Sequence, residues 1–405
     1  MRYLLLSIIL FFPALMKAQD STLIKRVPQD TSRLIMNSDV MYNRPFLIIG
    51  KSPIAIGGYL EANTQYMGTD GVTDGFSFQF RRFTLFFSST ISKRIKFLSE
   101  LEFEEGTKEI NLEFAAMDLE LHPFLNFRGG VIMNPIGAFN QNHDGPRWDF
   151  IDRPLSATTI LPSTLSNVGF GVHGKYFAHN LSLAYELYLT NGFDANIIDN
   201  TDNRTSLAAG KSNPEKFEES NSGLPMTTGK VALKHRKYGE IGLSAMLGVY
   251  NKWKLDGVVI DKQRSVSAYA FDFSTTIANQ TTITGEIAVV EVDLPSGSAP
   301  QYGAQQWGCF VDLVQPLYKG SVLNFEKSKI NACFRFEYAD YNVGTFTETS
   351  GAIGDDILTI VPGFSFRPSG QTVLRLNYRY HWQHDLLLNP PALTSGLQFG
   401  FSTYF

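Results

Sequence analysis

Through most of this chain apolar and polar residues alternate, and a period of two is the side-chain period of a β-strand. The segment 395–405 shows it plainly. Leu397, Phe399, Phe401 and Phe405 fall on one face, and Gln398, Gly400, Ser402 and Tyr404 on the other. A strand with one fully apolar face, ending on an aromatic residue, suits a transmembrane barrel better than a soluble sheet. Counting alternation and turn residues gives about sixteen such segments between 54 and 405. In 372–382, Leu374, Leu376, Tyr378, Tyr380 and Trp382 take the lipid side, and Arg375, Asn377, Arg379 and His381 the lumen. In 329–338, Asn331, Arg335 and Glu337 point inward. In 95–104, Lys96, Glu100 and Glu102 do. A basic residue on the lipid face at mid-bilayer costs about 2–4 kcal/mol, so placing the charges inward sets the register. The segment 76–91 changes phase at Arg81–Arg82, which predicts a β-bulge there.

The connections alternate in length. Those at 92–94, 123–125, 178–180, 236–238, 278–280 and 367–371 are short, and the ones between them are mostly longer. Short periplasmic turns and long outer loops produce that rhythm, and an even strand number keeps both barrel ends on one side. The connection 317–328 is long where a short one is expected, which predicts a small helix or a strand extension. The expected fold is therefore all-β: a transmembrane antiparallel barrel of about sixteen strands over residues 54–405. Ahead of it, Arg2 and the apolar run from Leu4 to Leu15 predict an export signal over 1–18, too short to span a bilayer. Residues 19–53 alternate little and are read as a lead-in, either periplasmic or tucked into the barrel mouth.

Composition agrees. Aromatic residues make up 13% and charged residues 18%, yet mean hydropathy is close to zero, so apolar residues are dispersed in strands. A formal charge of −4 speaks against nucleic acid as a partner. The two cysteines, Cys309 and Cys333, fall on opposite faces, so no disulfide is expected between them. The chain carries no phosphate-binding loop or nucleophile elbow, and its seven histidines are dispersed. No enzyme activity, cofactor or metal site is expected. The aspartates at 70, 74, 355 and 356 lack the regular oxygen-ligand spacing of a calcium loop.

The third outer connection, 137–168, is the candidate site. It carries Asp144, Arg147, Asp149, Asp152 and Arg153. Folded inward, these would form a constriction facing lumenal Arg82, Arg335, Arg375 and Arg379, and would select solutes by size and charge. Lys96, Glu100, Glu102, Glu337 and His381 complete the expected pore lining. The other reading of the loop charges is mutually neutralising surface pairs.

Several short motifs resemble the phosphate-selective porin O and P family: Arg81-Arg82-Phe83, the run from Gly130 to Gly137, Phe150-Ile151-Asp152-Arg153-Pro154, Leu189-Thr190-Asn191-Gly192, Tyr269-Ala270-Phe271-Asp272, Gly285-Glu286, Phe366-Arg367-Pro368 and Leu376-Asn377-Tyr378. That resemblance implies a sixteen-strand barrel of a Gram-negative outer membrane, an inward third loop, a homotrimer and passage of small anions. The residues themselves favour a less selective channel. Lumenal bases are interrupted by Glu100, Glu102, Glu186, Asp272, Glu286, Asp312 and Glu337, whereas phosphate selectivity asks for a dense ladder of bases. The expectation is thus an outer-membrane porin for passive diffusion of small hydrophilic solutes or ions, with lipid as its surroundings. A phosphate or anion porin is the alternative, and an interaction barrel or barrel enzyme the reading from another class.

Overall fold

A computed structural model describes residues 24–27, 35–213 and 215–405. The segment read as an export signal lies outside the described residues. Sixteen antiparallel strands form a closed barrel: β1 (Ile54–Thr69), β2 (Val72–Ser92), β3 (Ile95–Glu104), β4 (Glu109–His122), β5 (Leu125–Met133), β6 (Ser166–Ala178), β7 (Leu181–Thr190), β8 (Met226–His235), β9 (Gly239–Val249), β10 (Ser265–Ile277), β11 (Thr281–Val292), β12 (Gln305–Val322), β13 (Phe325–Asp340), β14 (Asp356–Ser369), β15 (Thr372–Gln383) and β16 (Ala392–Tyr404). Each strand pairs with its sequence neighbours, and β16 closes on β1 from Thr394↔Thr69 to Tyr404↔Tyr59. Closure leaves the wall no unpaired edge, which a lipid environment requires of any sheet.

The two faces segregate as the alternation predicts. Leu376, Tyr378, Leu397, Phe399 and Phe401 lie exposed on the outside, while Arg375, Asn377, Arg379 and Gln398 are buried inside. The β2 bulge forms where the double arginine sits: Glu61 pairs with Arg82 and Ala62 with Phe80, which leaves Arg81 as the extra residue. A second register shift between Glu100 and Leu101 leaves Glu113 of β4 unpaired, and it does not show in the periodicity.

At 317–328 the strand extension, and not the small helix, is what forms. Strands β12 and β13 run on to a two-residue turn at Leu323–Asn324, with φ of 48° and 68°. Paired left-handed residues match the twist of a hairpin, and Asn tolerates that region. The first outer connection is also tighter than expected. It is a hairpin turn at Asp70–Gly71, with φ of 50° and 83°.

The inner wall is not uniformly polar, and here the structure departs from the sequence reading. Around β8–β11 an apolar patch lies beside Lys230, Ser244, Asp272 and Glu286: Met226, Met246, Val266, Ala268, Ala270, Ala288, Val290 and Val292 all face inward and are buried. They pack against Ile136, Ile160, Leu161 and Leu165 of the third outer loop and against Phe193, Ile197 and Leu207 of the fourth. Small aliphatic side chains leave room for the loops, and burial of the joint apolar surface holds them there. The polar wall is the opposite arc, β1–β3 with β13–β16.

Candidate functional site

The third outer loop, residues 134–165, is held against the interior by its own backbone groups. Short turns satisfy part of them, as in Arg147 N–H to Asp144 O and Leu161 N–H to Ser156 O, and lumenal side chains satisfy others. Ala138 N–H donates to Glu286 Oε2 at 2.7 Å and Gly137 N–H to Ser244 Oγ at 3.0 Å, while Lys230 Nζ donates to Gly137 O at 2.7 Å. Gly137 has φ of 64°, and a Cβ there would sit 2.2 Å from Glu286 Oε2, so this anchor needs glycine. On the far arc, Arg367 donates to Pro146 O at 2.8 Å, Arg375 to Phe150 O at 2.7 Å and Arg335 to Asp152 O at 2.7 Å. The N–H of Ile151 donates to Asn377 Oδ1 at 2.9 Å. Contacts to β8, β9 and β11 on one arc and to β13–β16 on the other place the loop across the barrel.

The loop charges are individually partnered. Asp152 Oδ1 accepts from Arg81 at 2.6 Å and Oδ2 from Gln398 at 2.7 Å, with Arg379 at 3.5 Å. Burial alone would raise the Asp152 carboxyl, but Arg81 and Arg379 outweigh it and hold the group below the usual carboxylate range. Asp149 pairs with Arg367 at 2.9 Å and accepts from Ser365 at 2.6 Å. Asp144 accepts the fork of Arg44, Nε at 2.9 Å and Nη2 at 2.6 Å, and the hydroxyl of Tyr404 at 2.7 Å. Burial opposes its ionisation, yet Arg44 and His143 keep its carboxyl down at about 2. Arg147 donates to Tyr404 Oη at 3.2 Å, and Arg153 lies 3.7 Å from Glu102.

The wall residues named from the sequence form a connected ion network. Arg82 reaches Glu61, Glu102 and Glu104 at 3.3–3.4 Å. Arg375 meets Glu61 at 2.9 Å, and Arg379 meets Glu337 at 2.9 Å. Arg335 takes Asp312 in a fork at 2.5 and 2.7 Å and lies 3.6 Å from Glu337. Glu100 accepts from Arg44 at 2.8 Å and lies 3.3 Å from His143 Nε2. Lys96 is set apart from this network, half exposed and paired with Glu120 at 2.5 Å, and His381 is only partly buried. Buried charges persist only when partnered, and here each arginine fork meets carboxylates or loop carbonyls.

Two clefts flank this network. The outer one, about 450 Å³, is lined by Arg81, Arg82, Arg153, Lys211, Arg375 and Arg379 against Glu61, Glu104 and Asp152, with His143, Phe139 and Trp148 beside them. The other, about 670 Å³, lies at the short-turn end and is lined by Arg94, Lys96, Asp118, Glu120, Asn126, Arg128, His173 and Glu186, with Asp39 and Tyr42. Carboxylate and imidazole atoms of Glu100, Glu102 and His143 come within metal-ligand reach of one another. Arg44, Arg82 and Arg153 already surround them, which leaves little electrostatic demand for a cation.

Sequence reasoning missed Arg44, which sits in the stretch without alternation and has no local pattern to flag it. It also missed Arg128, which takes Asp118 in a fork at 2.6 and 2.8 Å and donates to Tyr188 Oη at 3.0 Å. Inward position on β5 was its one available signal.

No protein-family model matches the chain. A stretch of 152 residues, 36% of the chain, is 30% identical to a protein of Aquifex aeolicus (strain VF5) described as uncharacterized, and the chain spans 34% of that relative's length. Three solved structures align over most of the barrel. They are an anion-selective porin from Comamonas acidovorans (12% identity, 87% of this chain, 99% of that one, TM-score 0.54), Pseudomonas putida OprB (10%, 86% and 93%, 0.54) and the Acinetobacter baumannii outer-membrane channel DcaP (11%, 86% and 96%, 0.53). At such identities the likeness is one of architecture, and the chain has the closed β-barrel fold of outer-membrane porins.

Proposed function

We propose that the protein is an outer-membrane channel through which small hydrophilic solutes and ions diffuse passively. The observation that carries this reading is the charged cleft between the third loop and the polar arc of the wall, inside a barrel whose outer face is apolar. A sixteen-strand barrel is wide enough for an aqueous passage, and an inward loop set with charges narrows it and sets a local field. In this reading Asp152 and Arg153 of the loop, with Arg82, Arg375 and Arg379 of the wall, form the constriction. The other loop charges, Asp144, Arg147 and Asp149, hold the loop in place. A preference for anions is supported by six basic side chains against three carboxylates around the outer cleft. Residues 1–18 would direct export, and the resemblance to the phosphate-selective porins supports a homotrimer. The test is conductance of refolded protein in a planar bilayer, with reversal potential under a salt gradient. Ohmic steps with an anion-selective reversal potential are expected. Inserted, folded protein that never conducts, whether the segment ahead of the barrel is intact or replaced, would refute the channel.

A further inference from the structure

The interior holds a third occupant besides the two outer loops. Residues 35–49 precede the barrel, and between the exposed Ile35 and Ile49 the side chains of Met36, Val40, Met41, Arg44 and Phe46 are buried inside it. Met41 and Phe46 pack on Tyr59, Phe86, Phe114 and Tyr404 of the inner wall. The segment contributes nothing to closure, since β1 pairs with β16 only from Tyr59 onward and the sixteen-strand ring is complete without it.

Its position is between the two clefts. Asp39 and Tyr42 line the one at the short-turn end. Arg44, two residues further on, binds Asp144 and Glu100, and His143 beside them lines the outer one. None of residues 35–49 lines the outer cleft, so the segment and the Asp144 stretch of the third loop form the partition between them. Its backbone pairing to the wall is slight, and side chains add to it: Asn37 N–H donates to Glu240 at 2.9 Å, Asp39 pairs with Lys175, and Lys234 donates to Ile35 O. Only Leu47↔Ile56 and Ile48↔Ala55 pair it to β1, and an exposed turn at Gly50–Lys51 joins the two. Gly50 has φ of 60°, a backbone conformation that glycine adopts at no steric cost.

We infer that residues 35–49 are a plug entering from the short-turn end, latched by Arg44, and that its withdrawal joins the two clefts into one passage. This rests on the channel reading above. Arg44 is suited to the latch because its fork closes on the loop carboxylate of Asp144 while its remaining nitrogen reaches the wall carboxylate of Glu100 at 2.8 Å. Its guanidinium also lies 3.9 Å over the Phe86 ring. Loop, wall and plug meet at this side chain, and a second tie lies at Asn37, whose Nδ2 donates to Ala138 O of the loop at 2.7 Å and whose N–H donates to Glu240 of the wall at 2.9 Å. Removing it leaves two buried carboxylates without their main cation, which penalises the closed arrangement alone.

The test compares the full chain with Arg44→Ala and with a second variant in which residues 35–46 are replaced by a glycine–serine segment of equal length. Folding is checked by heat-modifiable gel migration, and each protein is recorded in planar bilayers. Arg44→Ala is expected to shift the closed-to-open ratio by roughly a hundredfold toward open. Arg44→Lys, which keeps the charge and loses the fork, should fall between it and the parent. The glycine–serine variant should stay open throughout. If the parent and both variants conduct alike, the plug is refuted and the channel stands. If the folded glycine–serine variant does not conduct either, the channel reading itself fails.

Discussion

Replacing Asp152 by Asn should make the channel more anion-selective by a predictable amount. Asp152 is one of three carboxylates facing six basic groups around the outer cleft, and it is only partly covered. Asparagine keeps its shape and, with its oxygen toward Arg81, keeps that hydrogen bond and gives up the one from Gln398, so the change is chiefly of charge. Two unit charges about 6 Å apart in a water-like dielectric interact by about 0.7 kcal/mol. Screening at about 0.1 M salt reduces this to about 0.4 kcal/mol. A passing anion is relieved of that repulsion and a cation loses the same attraction. The anion-to-cation permeability ratio should therefore rise about fourfold. The assay is the reversal potential of single channels under a potassium chloride gradient. Asp149→Asn serves as the control, since that carboxylate turns to Arg367 and Ser365 and does not line the cleft. An unchanged reversal potential for Asp152→Asn, or a shift toward cations, would refute the placement of Asp152 at the constriction. An equal shift for Asp149→Asn would show that local geometry does not decide selectivity.

Further outcomes follow from the same network. Arg335→Ala strands buried Asp312, while Glu337 keeps Arg379, and should cost about 3–5 kcal/mol of barrel stability, read as a lower urea midpoint in detergent or lipid. Phe399→Arg puts a base on the lipid face at a position paired with Thr64 and Leu376, well inside its strand, and should cost about 2–4 kcal/mol in the same unfolding assay. Burial disfavours the charged imidazole of His143, but Glu100 and Asp144 outweigh it and raise the group above its ordinary 6.5, with Arg44 opposing. A raised value in the folded state means that its contribution is complete below 6.5 and is lost as pH rises through the folded value. Urea resistance should therefore decline as pH rises above 6.5, and His143→Gln should flatten that slope. By contrast, Asp144, held at about 2, should keep the third loop docked through mild acid, which limited proteolysis of the loop at about pH 4 would check.

The barrel was legible in the chain because a transmembrane wall must answer two solvents at once. Lipid on one side and polar groups on the other impose period two on every strand, so Arg375, Asn377 and Arg379 announce their side before any neighbour is known. The bulge at Arg81 was legible for the same reason, as a break in that period. What fills the barrel was not. Ala268, Ala270, Ala288 and Val290 read as ordinary alternation partners, and only their packing against Ile160, Leu161 and Phe193 reveals an apolar floor for the loops. At 317–328 the chain left a small helix and a strand extension both open, and the left-handed pair Leu323–Asn324 decided for the extension. Arg44 required most. Its partners, Glu100 and Asp144, lie 56 and 100 positions away, and a segment that binds through isolated charges in a closed interior obeys no period. Periodicity records which solvent a residue meets. Contacts between residues that all lie inside belong to the three-dimensional arrangement, because there the partner of each charge is chosen by distance and not by place in the chain.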